Sequence, residues 1–270
     1  MKTSIILFLL VILRTSDLFA QSEKPFQLQK VSVHKQVKGF QGIDDLGNIY
    51  ALSDGVLYKY KQDMKQERTF AEKKYGDIST VFFDDPMNLI IFFEQTGMIV
   101  FLDNYLTVKK VIQPSDLKEN DWPQKISFSS QNGFWTYFPV EAELIRFDKN
   151  LHVQAQSGNL NFASPGLQKI NQLKESDQKL FVEDRQLWVF DLFANFLFKI
   201  EKEVPDQFFV NEKQIFFIDD NYLVVYDYIN RTENVFLLPE SDVRNYFWKK
   251  PFLFLNTQSA LVKYRLISIH

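Results

Sequence analysis

The imidazoles come first, because histidine serves both metal binding and proton transfer. There are three, His34, His152 and His270, and no two stand at metal-ligand spacing. The chain has no cysteine, so a zinc site would need those scattered histidines to converge with a carboxylate. Disulfides, iron–sulfur clusters and thiolate nucleophiles are excluded for the same reason. No G-x-S-x-G elbow supports a Ser–His–Asp reading, and neither a Walker loop nor a G-x-G-x-x-G turn is present to cradle phosphate.

Carboxylates are the next resource. Asp44-Asp45, Asp84-Asp85 and Asp219-Asp220 are adjacent pairs that could act as acid and base, or bind calcium, if they faced a cleft. Their surroundings read as turns, where an aspartate side chain holds its own backbone, and no D-x-D-x-D-G ligand series accompanies them. Asp103, Asp148, Asp191 and Asp227 each end a similar short apolar segment; a position that recurs with a repeat is architectural. The residues therefore predict no catalytic group, no cofactor site and no metal ligand. Asn230-Arg231-Thr232 forms a sequon, which matters only in a eukaryotic secretory pathway.

Aromatic side chains are plentiful, with 28 Phe, 11 Tyr and 4 Trp, a load that favours strands over helices. Those falling in connections are candidate contacts for a protein partner, since aromatic anchors dominate binding hot spots. Trp122, in the polar stretch KENDWPQK, and Phe193, Phe196, Tyr246 and Trp248 are the candidates. Nucleic acid is not an expected partner: 34 acidic against 31 basic residues leave a formal net charge of -3, the wrong sign to neutralise phosphates.

The elements that would position these residues follow from self-similarity. Six segments match: GVLYKYK, GMIVFLD, ELIRFD, QLWVFD, YLVVYD and ALVKYR. Each follows an apolar first arm across a short polar turn; QKLFVEDRQLWVFD and KQIFFIDDNYLVVYD are the clearest pair. Aromatic and β-branched arms joined by Asp, Asn, Ser or Gly turns are β-hairpins. The two-sided apolar runs LIIFF and IFFI belong to strands buried between sheets. A unit of about 40 residues containing four strands is the mark of a β-propeller.

The expected fold is all-β, a six-bladed β-propeller. The last unit ends too early to supply its own outer strand, whereas Phe26 to Val37 alternates apolar and polar residues outside any complete unit. That N-terminal segment is expected to complete the last blade and close the ring. A two-layer sandwich of similar hairpins is the competing architecture. Scarce glycine, nine residues, speaks for it, because propellers commonly use glycine at turns. The best helical candidate in the mature chain is the short stretch Pro165 to Lys174.

Residues 1–20 read as a secretory signal peptide: Lys2, the apolar run IILFLLVIL, then a polar stretch ending at Ala20. Arg14 stops the run far short of a membrane span. Residues 21–270 are then one exported propeller domain, periplasmic and without a direct membrane span, or associated with the outer membrane.

The hairpin series resembles six-bladed propellers generally, NHL- and YVTN-like ligand-binding propellers included. The signal ending in Ala-Gln and the Phe-, Asn- and Lys-rich hairpins resemble exported propellers of Bacteroidota envelopes. That group includes the plug-type component of the type 9 secretion translocon. The resemblance implies a non-catalytic scaffold whose partner is an outer-membrane or periplasmic complex. A glycan hydrolase or lyase, or a ligand sensor, working at the central funnel is the alternative.

Overall fold

The computed structural model describes residues 26–167 and 169–268; the signal segment and His270 lie outside them. The chain enters through β1 (Phe26–Lys35) and then builds four-stranded units in sequence. Blade 1 holds β2 (Phe40–Ile43), β3 (Ile49–Ser53), β4 (Val56–Tyr60) and β5 (Gln66–Phe70). Blade 2 holds β6 (Thr80–Phe82), β7 (Leu89–Phe93), β8 (Met98–Leu102) and β9 (Val108–Ile112). A short helix, α1 (Pro114–Leu117), leads to blade 3: β10 (Lys125–Ser129), β11 (Gly133–Phe138), β12 (Glu143–Asp148) and β13 (Val153–Asn159). After α2 (Leu160–Ala163), blade 4 comprises β14 (Gln172–Ser176), β15 (Lys179–Glu183), β16 (Leu187–Asp191) and β17 (Phe196–Ile200). Blade 5 comprises β18 (Phe208–Asn211), β19 (Gln214–Asp219), β20 (Tyr222–Asp227) and β21 (Thr232–Leu237). The last three strands are β22 (Val243–Lys249), β23 (Phe252–Thr257) and β24 (Ala260–Ser268).

The last sheet has the order β1-β24-β23-β22. The N-terminal strand is thus the outer strand of blade 6, antiparallel to β24 from Phe26↔Ser268 to Lys35↔Ala260. Six four-stranded sheets, five sequential and one shared by both ends of the chain, replace the two layers a sandwich would show. The protein is a six-bladed β-propeller.

Side-chain alternation explains why hairpin arms are apolar on both faces. All five residues of β7 are buried. Leu89, Ile91 and Phe93 enter the core shared with blade 1, while Ile90 and Phe92 enter the core shared with blade 3. The same division gives each junction between neighbouring blades its own apolar cluster. Fully burying one such Phe or Leu contributes about 1.5–3 kcal/mol, so apolar burial holds the blades together. Outer strands are the edges of their sheets and read accordingly; in β21 no residue is buried.

The turns explain the scarce glycine. Asp103, Asp148, Asp191 and Asp227 cap the turn between the third and fourth strands of their blades. Asp103 Oδ1 accepts from the amides of Tyr105 and Thr107, both at 2.8 Å. Asp148 Oδ1 accepts from Asn150 and His152, at 2.8 and 2.9 Å. Each cap steadies a following left-handed residue: Leu106 (φ 60), Leu151 (φ 70), Ala194 (φ 66) and Arg231 (φ 56). Side-chain hydrogen bonds thus hold backbone that glycine would adopt without help.

One expected element is absent. The described residues of Pro165 to Lys174 do not form a helix: α2 lies just upstream, and Gln172–Ser176 is the inner strand of blade 4. Asn159 caps α2 by accepting from the Asn161 amide at 2.9 Å. Pro165 and Gly166 (φ 102) follow its end. The inner strand escaped notice because its polar residues face the axis and interrupt the strand pattern.

Candidate functional site

The first strand of every blade lines the axis, so that is where dissimilar side chains are brought together. One face of the ring carries the links into each first strand and the turns between second and third strands; the opposite face carries the remaining turns. On the first face the axis opens into a funnel of about 740 Å³. It is walled by blades 2 to 4, with Thr80, Lys125, Gln172 and Glu183 among its lining residues. Deeper, the channel narrows to about 200 Å³ between Phe83, Phe208, Phe209 and Phe247, with Asp84, Lys174 and Glu175 as its charged lining residues.

Lys174 sits over the Phe209 ring, 4.0 Å from its centroid, and its Nζ donates to the Phe208 carbonyl at 2.9 Å. Its side chain is half-buried, and the solvent it meets is the narrow column inside the ring. Loss of bulk hydration pushes its ammonium down from 10.5 to about 8, against the opposing pull of Asp84. The same confinement raises the Asp84 carboxyl above the ordinary range, while Lys174 and Lys249 oppose the shift. The sign for stability follows. Below pH 8 Lys174 is charged in both folded and unfolded chains and its dehydration opposes folding. Between pH 8 and 10.5 only the unfolded chain keeps the proton, so the opposition fades as pH rises.

Chemical reactivity gives the more direct measurement. At pH 8 about half of Lys174 is the neutral amine, against well under 1% of an ordinary lysine. Brief treatment with cyanate, small enough for the channel, is expected to carbamylate Lys174 ahead of the surface lysines. Peptide mass spectrometry reads the order; labelling of Lys174 no faster than of Lys35 would contradict a depressed ammonium.

The other chemistry-bearing residues are elsewhere. His34, on β1, has Nε2 3.0 Å from Ser32 Oγ, and the exposed His152 has Nδ1 3.2 Å from Asp148 Oδ2. No group of three or more His, Cys, Asp or Glu that could hold a metal occurs among the described residues. Asp44 is buried and fully engaged, accepting from the amides of Leu46 and Asn48, from Asn48 Nδ2 and from Tyr50 OH. Burial, with Asp44 beside it, raises the Tyr50 hydroxyl far above its usual range. Asp85 is spent on the Met87 amide and on Asn88, and Asp219 and Asp220 occupy the β19–β20 turn. Backbone amides likewise hold Asp103 and Asp148 below the ordinary carboxylate range, led by those of Thr107 and His152.

The aromatic contact candidates separate into three places. Trp122 is 56% exposed, on the funnel face between blades 2 and 3. Phe193 (70%) and Phe196 (39%) lie at the outer turn of blade 4, on the opposite side. Tyr246 and Trp248, each 7% exposed, are core residues and offer no surface. Tyr246 OH accepts from the Ile218 amide at 3.1 Å and donates to the Gln207 carbonyl, joining blades 5 and 6. Trp248 stacks on Phe216, centroids 4.2 Å apart. In β22 burial alternates, so neighbouring aromatics have opposite fates.

Sequence reasoning missed two exposed apolar residues on loops of the same face: Val140 (71% exposed) and Phe162 (84% exposed). Asp121 Oδ2 accepts from the amides of Val140 and Glu141, at 3.2 and 3.3 Å, tying the tryptophan loop to the β11–β12 turn. Asn159 Nδ2 donates to Glu141 O, and the Leu160 amide to Ala142 O, each at 2.8 Å, bringing α2 and Phe162 to that same turn.

No protein-family profile and no curated sequence matches the chain. Solved structures do. Virginiamycin B lyase from Staphylococcus aureus is similar at a TM-score of 0.57 and 10% identity, over 90% of this chain and 100% of that one. The WD40 domain of Neurospora crassa Pan2 is similar at 0.57 and 12%, over 92% and 85% of the two chains. A chain of a mitotic checkpoint complex is similar at 0.56 and 11%, over 100% and 90%. What they share with this protein is the fold. A lyase, a WD40 domain and a chain of a checkpoint complex stand side by side there, so the architecture leaves function to the site. Among the described residues no helix is long and apolar enough to cross a membrane.

Proposed function

We propose that the protein is a non-catalytic, exported scaffold subunit of a bacterial cell-envelope complex. It would meet its protein partner through the funnel face of blade 3. The observation that carries this reading is the tethered trio Trp122, Val140 and Phe162, exposed on one face by three hydrogen-bonded loops. A Trp and a Phe held out in water on anchored loops fit a partner's pockets at little entropic cost. Export rests on the N-terminal sequence pattern, and the envelope assignment on the resemblance of the hairpins. The scaffold role is further supported by Asp103, Asp148, Asp191 and Asp227, each of which spends its Oδ1 on two turn amides rather than aiming it at a cleft.

Affinity purification of the tagged protein from gently solubilised envelopes tests this reading. Stoichiometric recovery of an outer-membrane or periplasmic protein is expected, with a loss of about ten-fold or more in Trp122→Glu/Phe162→Glu, the scale of one hot-spot anchor. A monomer without companions that acts on a panel of glycans would replace the scaffold with an enzyme.

A further inference from the structure

The wall of the funnel contributed by blade 4 has a chemistry that the docking face does not use. Gln172 on β14 and Glu183 on β15 are directly opposed Cα partners, so their side chains leave the sheet on the same face with Cβ atoms about 5 Å apart. Both line the 740 Å³ funnel. Glu183 is 1% exposed. Its Oε1 accepts from Asn171 Nδ2 at 3.3 Å and from the Arg185 amide. Among the described residues its Oε2 has no hydrogen-bond partner, and neither has Gln172 Oε1. A buried acceptor left unpaired costs about 1–3 kcal/mol, more when charged. The two oxygens are covered by their surroundings, so a donor arriving from the cavity meets them as the two side chains turn outward.

The kind of donor can be narrowed. A carboxylate oxygen calls for a cation. Of the two lysines that line the funnel, Lys125 is already paired with Glu94 Oε1 at 2.7 Å, and Lys169 is exposed. A guanidinium prefers both oxygens of one carboxylate, but here Oε1 is taken. Calcium needs six to eight oxygens, and this pair offers two unpaired ones. An ammonium carries three divergent donors around a point charge and can address one oxygen of each residue. Phe82, Phe92, Ile126, Ile170 and Leu173 supply an apolar wall beside the polar pair.

We propose that Glu183 and Gln172 form a binding site for a primary ammonium group carried on an apolar stem. The stem lies along the apolar wall and the ammonium bridges Glu183 Oε2 and Gln172 Oε1. This inference stands independently of the scaffold reading. The same chemistry is offered by a free alkylamine and by a lysine side chain of a peptide.

Calorimetric titration of the mature chain with hexylamine, 1-hexanol and hexanoate tests it. Hexylamine is expected to bind at least about ten-fold more tightly than either isostere, the scale of one charge-assisted hydrogen bond. Glu183→Gln keeps the shape but turns a donor toward the cavity, and is expected to abolish that preference. Gln172→Glu adds a second carboxylate and is expected to tighten hexylamine binding several-fold, so the outcome does not depend on one variant folding. Equal binding of hexylamine and hexanol, or an unchanged preference in Glu183→Gln with native circular dichroism, overturns the proposal. Competition with an acetylated, amidated lysine peptide then separates the sources: displacement of hexylamine assigns the site to a peptide lysine, and its failure assigns it to a free amine.

Discussion

A chain that begins at Gln36, lacking β1, is expected to lose cooperative unfolding. Blade 6 is the one blade built from both ends of the chain, and β1 occupies its outer edge along the length of β24. Without it, β24 becomes an unpaired edge in a sheet that must still cover the junctions with blades 5 and 1. The lost ladder of backbone hydrogen bonds, at about 0.5–1.5 kcal/mol each, sums to at least ~5 kcal/mol, which is the whole stability of many domains. Side-chain links between blade 6 and the start of the truncated chain persist: Asn256 accepts from the Val37 amide at 3.3 Å and donates to its carbonyl at 2.9 Å, and Asn245 and Lys249 donate to the Phe40 and Ile43 carbonyls. Such links cannot replace the hydrogen-bonded edge of a strand. Thermal unfolding followed by circular dichroism should show a broad transition at much lower temperature. A synthetic peptide of residues 26–35 added in trans should sharpen it again. A truncated chain that melts like the intact one would mean that the ring does not depend on its shared blade.

The legibility of this fold in the sequence follows from burial. The second and third strands of each blade are covered on both faces, so their composition has no freedom, and LIIFF or LWVFD can hardly be anything else. The closing strand was legible for the opposite reason: β1 has one solvated face and alternates, and the last unit visibly lacked a fourth strand. Inner strands were harder, because their residues answer to the axis as well as to the junctions. Lys174 and Gln172 interrupted the strand pattern and drew a helical reading, which concealed the residues that face the channel. Glu183 closes the apolar arm KLFVE, and only the register of β14 on β15 places Gln172 opposite it. The aromatic candidates show the same limit. Trp122 follows an aspartate in a polar link and is exposed, whereas Trp248 sits in a strand where alternation decides burial, and composition alone does not reveal its phase.

The inner strand of blade 4 also carries a latch whose removal should be costly. Glu175 reaches into blade 3: its Oε1 accepts from Ser130 N at 2.9 Å and from Ser130 Oγ at 2.5 Å, and its Oε2 from the Trp135 indole at 2.7 Å. Trp135 is fully buried in the core between the two blades, so without Glu175 its N–H has no acceptor in reach of water. Glu175→Ala is therefore expected to destabilise the fold by about 3 kcal/mol, one orphaned buried donor plus the lost charge-assisted bonds to Ser130. Trp135→Phe removes the donor itself and leaves a half-buried carboxylate that solvent can still reach, at a cost of about 1–2 kcal/mol, a common size for a point substitution. Because the orphaned N–H disappears with the indole, the double variant should be less destabilised than the sum of the single ones, by about 1 kcal/mol or more. Urea unfolding of the four proteins measures the cycle. Strict additivity would show that the carboxylate and the indole act separately. Non-additivity would locate the clamp between blades 3 and 4 in this bond, on the strand that also presents Gln172 and Lys174 to the axis.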